Sequence, residues 1–191
     1  MTTHLLYLHG FRSSPQSTKA RQAEAWVKRH APRVRWWCPQ LPPSPREAIE
    51  GLQAGLAEWP RDRLAIIGSS LGGFYATVLA EQLGCQAVLL NPAVDPARDL
   101  AGHIGETTAW HSEERFFFVP AYVEQLRAMT PATLADPSRY FAVIATGDEV
   151  LDWREMHARY APCRIKLLEG SDHGLVDFDD YLDELTAFLE L

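Results

Sequence analysis

The residues of this chain that could do chemistry are a serine between glycines in Gly68-Ser69-Ser70-Leu71-Gly72, acidic residues at Asp148, Glu149 and Asp152, and a histidine at His173. That chemistry would be acyl transfer. A serine hydroxyl is a weak nucleophile at neutral pH; it needs a base within hydrogen-bond reach and a third group to orient that base. Gly68 to Gly72 matches G-x-S-x-G. The apolar run Leu64 to Ile67 before it reads as a buried strand, and Leu71 to Leu83 after it reads as a helix. In that context the serine lies on a sharp strand-to-helix turn that strains its backbone and exposes Oγ. Gly68 and Gly72 keep the close approach of strand and helix open. The helix N-terminus behind Ser70 offers free N–H groups and a positive dipole end to a developing oxyanion. The plainer reading is a Gly/Ser turn that only joins two elements; the flanking strand and helix favour the nucleophile.

In hydrolases built on such an elbow, the acid and the base follow the serine in chain order, each at the C-terminal end of a later strand. Gly147-Asp148-Glu149-Val150 follows a strand ending at Thr146, and Ser171-Asp172-His173-Gly174 follows the last strand, so Ser70, Asp148 and His173 fall in that order. Asp152 is the rival acid, although its position suits capping the next helix. Glu149 is expected on the other side of the turn. His103, His111 and His157 are rival bases, placed in an insertion or on a helix where a solvated histidine is the default. The oxyanion hole is expected from the backbone N–H groups of Phe11, in Tyr7-Leu8-His9-Gly10-Phe11, and of Leu71. His9 is expected to support that loop by hydrogen bonds rather than act as a base. Ser13 and Ser14 read as turn and helix-capping residues, and Ser69 as facing away from the pocket.

Strands and helices alternate along the chain. Strands read at Leu5–His9, Val34–Cys38, Arg63–Gly68, Ala87–Asn91, Tyr140–Thr146 and Ile165–Leu168. Helices read at about Thr18–His30, with Ala20, Ala23, Val27 and His30 on one face, and through Ile49, Leu52, Leu56 and Trp59. Others follow the elbow, span about Trp153–Tyr160, and close the chain with Phe178, Tyr181, Leu182, Leu185, Phe188 and Leu189. Near-continuous apolar strands separated by helices imply a doubly wound α/β architecture. Its six-stranded, mainly parallel sheet is covered on both faces, with strand order 2-1-3-4-5-6 and right-handed crossovers. The 191 residues read as one domain. An insertion at about 96–136 breaks the rhythm and carries Trp110, Phe116, Phe117, Phe118, Tyr122 and a helix at about 120–129. It reads either as a surface excursion anchored by aromatics or as a small cap supplying an apolar acyl pocket.

Composition sets limits on function. A net charge of −7 from scattered acidic residues argues against a nucleic-acid partner. Cys38, Cys85 and Cys163 are odd in number and widely spaced in apolar segments, as reduced core residues would be. No histidine or cysteine pair has metal-ligand spacing, so no metal is expected. No run approaches the roughly 20 apolar residues that span a bilayer. The N-terminus enters a strand directly, which suggests a cytoplasmic enzyme.

The blocks Leu6-Tyr7-Leu8-His9-Gly10-Phe11, Ser13-Ser14-Pro15, Lys19-Ala20, Pro39-Gln40-Leu41-Pro42-Pro43, Gly68-Ser69-Ser70-Leu71-Gly72-Gly73, Asn91-Pro92-Ala93-Val94 and Thr146 to Asp152 resemble the YqiA-type bacterial esterases, a family with the α/β-hydrolase fold. The resemblance spans the chain from the first strand to the His173 loop. It implies a compact cytoplasmic hydrolase of carboxylic esters, with thioesters as alternative substrates. Nucleophile, acid and base then fall on Ser70, Asp148 and His173; no cofactor is needed and the partner is a small acyl ester. The YcfP branch of the wider family lacks the serine, which this chain keeps. No motif aligns in the insertion, where substrate preference would be set. A non-catalytic binding protein on the same fold is the rival from another class, and oligomeric state is not legible.

Overall fold

The structure is a computed structural model that describes residues 1–108 and 115–191; Trp110 and the rival base His111 lie outside the described residues. β1 (His4–Leu8), α1 (Thr18–His30), β2 (Arg35–Trp37), α2 (Pro45–Leu56), β3 (Leu64–Ser69), α3 (Leu71–Leu83) and β4 (Gln86–Leu90) form the first half. The insertion contributes α4 (Pro96–Asp99), β5 (Gly105–Thr108), β6 (Arg115–Phe118) and α5 (Pro120–Met129). β7 (Tyr140–Ala145), α6 (Trp153–Arg159), β8 (Arg164–Leu168) and α7 (Leu182–Phe188) complete the chain. The main sheet runs β2-β1-β3-β4-β7-β8, every neighbouring pair parallel. Counted within that sheet alone, this is the expected order 2-1-3-4-5-6, since β5 and β6 pair only with each other.

The apolar strand runs are explained by burial on two faces. On β1, Leu6 and Leu8 join a core with Leu52 of α2, Phe74 of α3 and Met156 of α6, while Leu5 and Tyr7 join a second core with Ala23 and Val27 of α1 and Leu185 of α7. β3 and β7 are buried along their whole length. The strand C-termini and the loops that leave them carry the candidate residues, as an open parallel sheet requires.

Several local expectations are corrected. His30 is exposed rather than on the buried face of α1. It belongs to the basic last turn, with its ring 4.7 Å from Trp26 and its Nδ1–H donated to the Trp26 carbonyl at 3.1 Å. Trp59 is buried but lies beyond the end of α2. Ser13 and Ser14 do not cap α1, whose N-cap is Ser17; Ser14 Oγ instead accepts the Gln16 N–H at 3.1 Å within the turn. All three cysteines are free, and burial pushes the thiols of Cys38 and Cys85 up to about 12 and that of Cys163 to about 11.

Within the insertion, the antiparallel hairpin of β5 and β6 was not legible beforehand. The run Phe116-Phe117-Phe118 alternates faces, with Phe118 buried and Phe117 exposed. Phe116 and Phe118 meet the ring of Phe11 edge-on at 6.0 and 5.4 Å, and Arg12 donates to the Thr108 carbonyl. The hairpin is thereby tied to the loop after β1. Among the described residues no helix is long and apolar enough to cross a membrane.

Candidate active site

Ser70 joins β3 to α3 at φ 56 and ψ −120, a conformation that non-glycine residues rarely adopt. The surroundings hold it there. The Ser70 N–H donates to the Leu90 carbonyl at 2.9 Å, and its own carbonyl accepts the N–H groups of Gly73 at 2.9 Å and Ala93 at 3.1 Å. A Cβ on Gly68 would lie 2.2 Å from the Gly72 carbonyl oxygen, and one on Gly72 would lie 2.1 Å from that of Leu8. Both glycines are therefore steric requirements of the elbow. Gly10 also passes close to the serine, though less tightly, since a Cβ there would be 3.2 Å from Ser70 Cβ.

Asp148 follows β7, and its side chain is fully buried. Oδ2 lies 2.7 Å from His173 Nδ1, while Oδ1 accepts the N–H groups of Val150 and Leu151, each at 2.8 Å. Because the carboxylate accepts, His173 carries its proton on Nδ1 and keeps Nε2 as the free basic nitrogen. Asp152 has the other role: Oδ1 accepts the Arg154 N–H at 2.9 Å as the N-cap of α6. Glu149 does not turn away, because its Oε2 accepts the His173 N–H at 3.1 Å. Of the rival bases, His103 lies against Phe11 and His157 against Trp153, both exposed.

His9 is buried and braces the loop after β1. Its Nε2 accepts the Leu41 N–H at 3.1 Å, and Nδ1–H donates to the Gly10 carbonyl at 3.0 Å. Burial lowers its pKa below the ordinary 6.5, against a smaller upward pull from Gly10, so the ring is held neutral. Phe11 leaves this braced turn and Leu71 opens α3. Neither amide N–H donates to a backbone acceptor among the described residues, so both can serve an incoming oxygen.

Ser70 and His173 line one cleft of about 780 Å³ together with Gly10, Phe11, Lys19 and Gln40. Ser69 also borders it. The Ser70 hydroxyl makes no side-chain hydrogen bond among the described residues, so the constellation is closed between Asp148 and His173 and open at the serine. Next to it lies a pocket whose walls include Leu41, Pro42, Leu71, Tyr75 and Phe116. Among the described residues no group of three His, Cys, Asp or Glu side chains could hold a metal.

Sequence reasoning missed Asn91, at the end of β4. It is buried at φ 42, a conformation asparagine tolerates better than most residues. Its Oδ1 accepts the Ala145 N–H at 2.8 Å, and Nδ2 donates to the carbonyls of Asp172 at 3.1 Å and His173 at 3.3 Å. An asparagine before Pro92 at a strand end was the available signal.

The parallel sheet, the elbow and the strand order define the α/β-hydrolase fold. Solved structures with this fold are similar over nearly the whole chain. A protein of Agrobacterium vitis S4 is 19% identical with a TM-score of 0.77, covering 97% of this chain and 87% of its own. Mouse alpha/beta hydrolase domain-containing protein 10 is 13% identical with a TM-score of 0.74, covering 100% and 90%. The esterase domain of a Rhodothermus marinus protein is 18% identical with a TM-score of 0.70, covering 97% and 85%. At these identities the likeness is one of fold. The chain also matches the Uncharacterised protein family UPF0227 over residues 4–190, and it belongs to that family.

Proposed function

We propose that the protein is a serine esterase that works through an acyl-enzyme on Ser70, with His173 as base and Asp148 as the orienting acid. The observation that carries this reading is the 2.7 Å contact between His173 Nδ1 and the buried Asp148 carboxylate, at a cleft that also holds Ser70 in strained geometry. His173 Nε2 takes the Ser70 proton as Oγ bonds to the ester carbonyl carbon. The carbonyl oxygen takes up the negative charge and receives the Phe11 and Leu71 N–H groups. As the tetrahedral intermediate collapses, the C–O bond to the alcohol breaks and Nε2 gives its proton to the leaving oxygen. Water then attacks the acyl-enzyme by the same route, releasing the carboxylic acid and restoring Ser70. Asp148 stays ionised and stabilises the imidazolium formed at each step. The acyl group enters the pocket walled by Leu41, Leu71, Tyr75 and Phe116, with the insertion acting as a small cap. The esterase domain among the similar structures supports the reaction class.

The test is turnover of a series of p-nitrophenyl esters and acyl thioesters by the wild type and by Ser70→Ala. Ester hydrolysis that disappears in Ser70→Ala supports the reading. Preference for the thioesters would change the substrate class without changing the residues, and turnover that survives the substitution would overturn it.

A further inference from the structure

His173 sits on a loop rather than in a helix or strand, yet its ring must stay on Asp148, and a misplacement of about 1 Å can cost roughly 10²-fold in rate. That loop, from the end of β8 to α7, passes through left-handed backbone at Gly170 (φ 73) and Leu175 (φ 52). Glu149 and Asn91 hold part of it, as described. Ser171 is tied down as well, its carbonyl accepting the Gly147 N–H at 3.1 Å and its Oγ donating to Asp177 at 3.0 Å, and a further hold comes from Lys19, in the first turn of α1 and far away in sequence. Lys19 Nζ donates to the Gly174 carbonyl at 2.8 Å and to the His173 carbonyl at 3.3 Å. The carbonyls of residues 172, 173 and 174 are thus gripped by the side chains of Asn91 and Lys19, while Glu149 takes the His173 N–H.

Lys19 is a costly way to achieve packing alone. Burial pulls its ammonium down to about 8, against smaller opposing pulls from Asp172, Asp148 and Glu149. Among the described residues it forms no ion pair. A half-buried cation with no carboxylate in ion-pair contact gains little from packing, and an apolar side chain would fill that volume at less desolvation cost. Its hydrogen bonds are spent on the backbone that carries His173.

We propose that Lys19 is a positioning residue for His173, fixing the His173–Gly174 backbone so that the imidazole stays on Asp148 with Nε2 toward Ser70. This rests on the esterase reading. It assigns Lys19 no contact with the reacting atoms.

Lys19→Met keeps a long unbranched apolar stem and loses the donors, whereas Lys19→Arg keeps a long donor-bearing side chain. Two readouts separate positioning from plain stability: the split between kcat and KM for a p-nitrophenyl ester, and the downfield proton resonance of His173 Nδ1–H. The expected result for Lys19→Met is a kcat lower by about 10- to 100-fold with KM within about twofold, together with faster exchange of the Nδ1–H resonance. Lys19→Arg should recover most of both. A folded Lys19→Met with wild-type kcat and an unchanged resonance would overturn the proposal, even if its Tm were lower. Should Lys19→Met fail to fold, Lys19→Ala, which also lacks a donor, is read by the same criteria. Wild-type protein without ester turnover would overturn the esterase reading instead. The resonance would then still decide: its loss in Lys19→Met supports positioning by Lys19, and its retention contradicts it.

Discussion

His173 Nδ1 lies 2.7 Å from Asp148 Oδ2, and the other oxygen of that buried carboxylate is occupied by the N–H groups of Val150 and Leu151. Asp148 therefore fixes both the turn after β7 and the tautomer of the histidine.

Replacing Asp148 by Asn removes the charge and offers an amide where the carboxylate accepted Nδ1–H. The expected loss in kcat is on the order of 10⁴-fold, from the wrong tautomer and an unstabilised imidazolium. Asp152→Asn, at the N-cap of α6, should keep most activity and cost at most about 1 kcal/mol of stability, because asparagine also caps helices. Steady-state kinetics and urea denaturation of the two variants check this; reversed penalties would reassign the acid.

Stability should depend on pH through His9. Its pKa is lowered in the folded protein from the ordinary 6.5 by burial, so the unfolded chain binds the proton more readily. Above 6.5 both states are neutral and the contribution is intact. As pH falls from 6.5 toward the lower folded value, unfolding takes up a proton and stability is lost. The structural reason is that protonated Nε2 can no longer accept the Leu41 N–H. Tm measured between pH 5 and about 8 should decline on the acid side, and His9→Gln should flatten that part of the decline at the cost of overall stability.

Gly72→Ala tests whether the elbow demands close approach. The added Cβ would lie 2.1 Å from the Leu8 carbonyl oxygen, a backbone atom that cannot swing aside. The expected destabilisation is about 3 kcal/mol, read by urea denaturation. Gly51, where a Cβ would meet nothing within 4 Å, is the control: Gly51→Ala in the middle of α2 should stabilise by about 0.5–1 kcal/mol.

If the insertion bounds the acyl pocket, Phe116→Ala should shift preference toward longer or bulkier acyl groups by opening the wall that Phe116 shares with Leu71 and Tyr75. Ratios of kcat/KM across a p-nitrophenyl ester series measure it. An unchanged series would place the acyl group elsewhere.

The fold was legible because its signals are local and repeated. Apolar runs such as Leu64 to Ile67 sit between amphipathic helices, and the strand order follows from right-handed crossovers. The glycine pattern around Ser70 was legible because the elbow needs small residues at fixed offsets. The brace of His9 was also anticipated. Asn91, Glu149 and Lys19 were not, since their partners are backbone groups of a loop far away in sequence, between 24 and 155 residues away for Glu149 and Lys19. Nothing in their own neighbourhoods indicates that contact. The β5–β6 hairpin was missed because three consecutive phenylalanines conceal the alternation that only burial reveals.

The measurement that bears most directly on the central claim is covalent labelling with a fluorophosphonate, read by intact mass and by peptide mapping. One adduct per chain on Ser70 is expected, with none in folded Ser70→Ala and greatly slowed labelling in His173→Ala. A folded wild-type protein that takes no label, or that takes it at a residue other than Ser70, would contradict it.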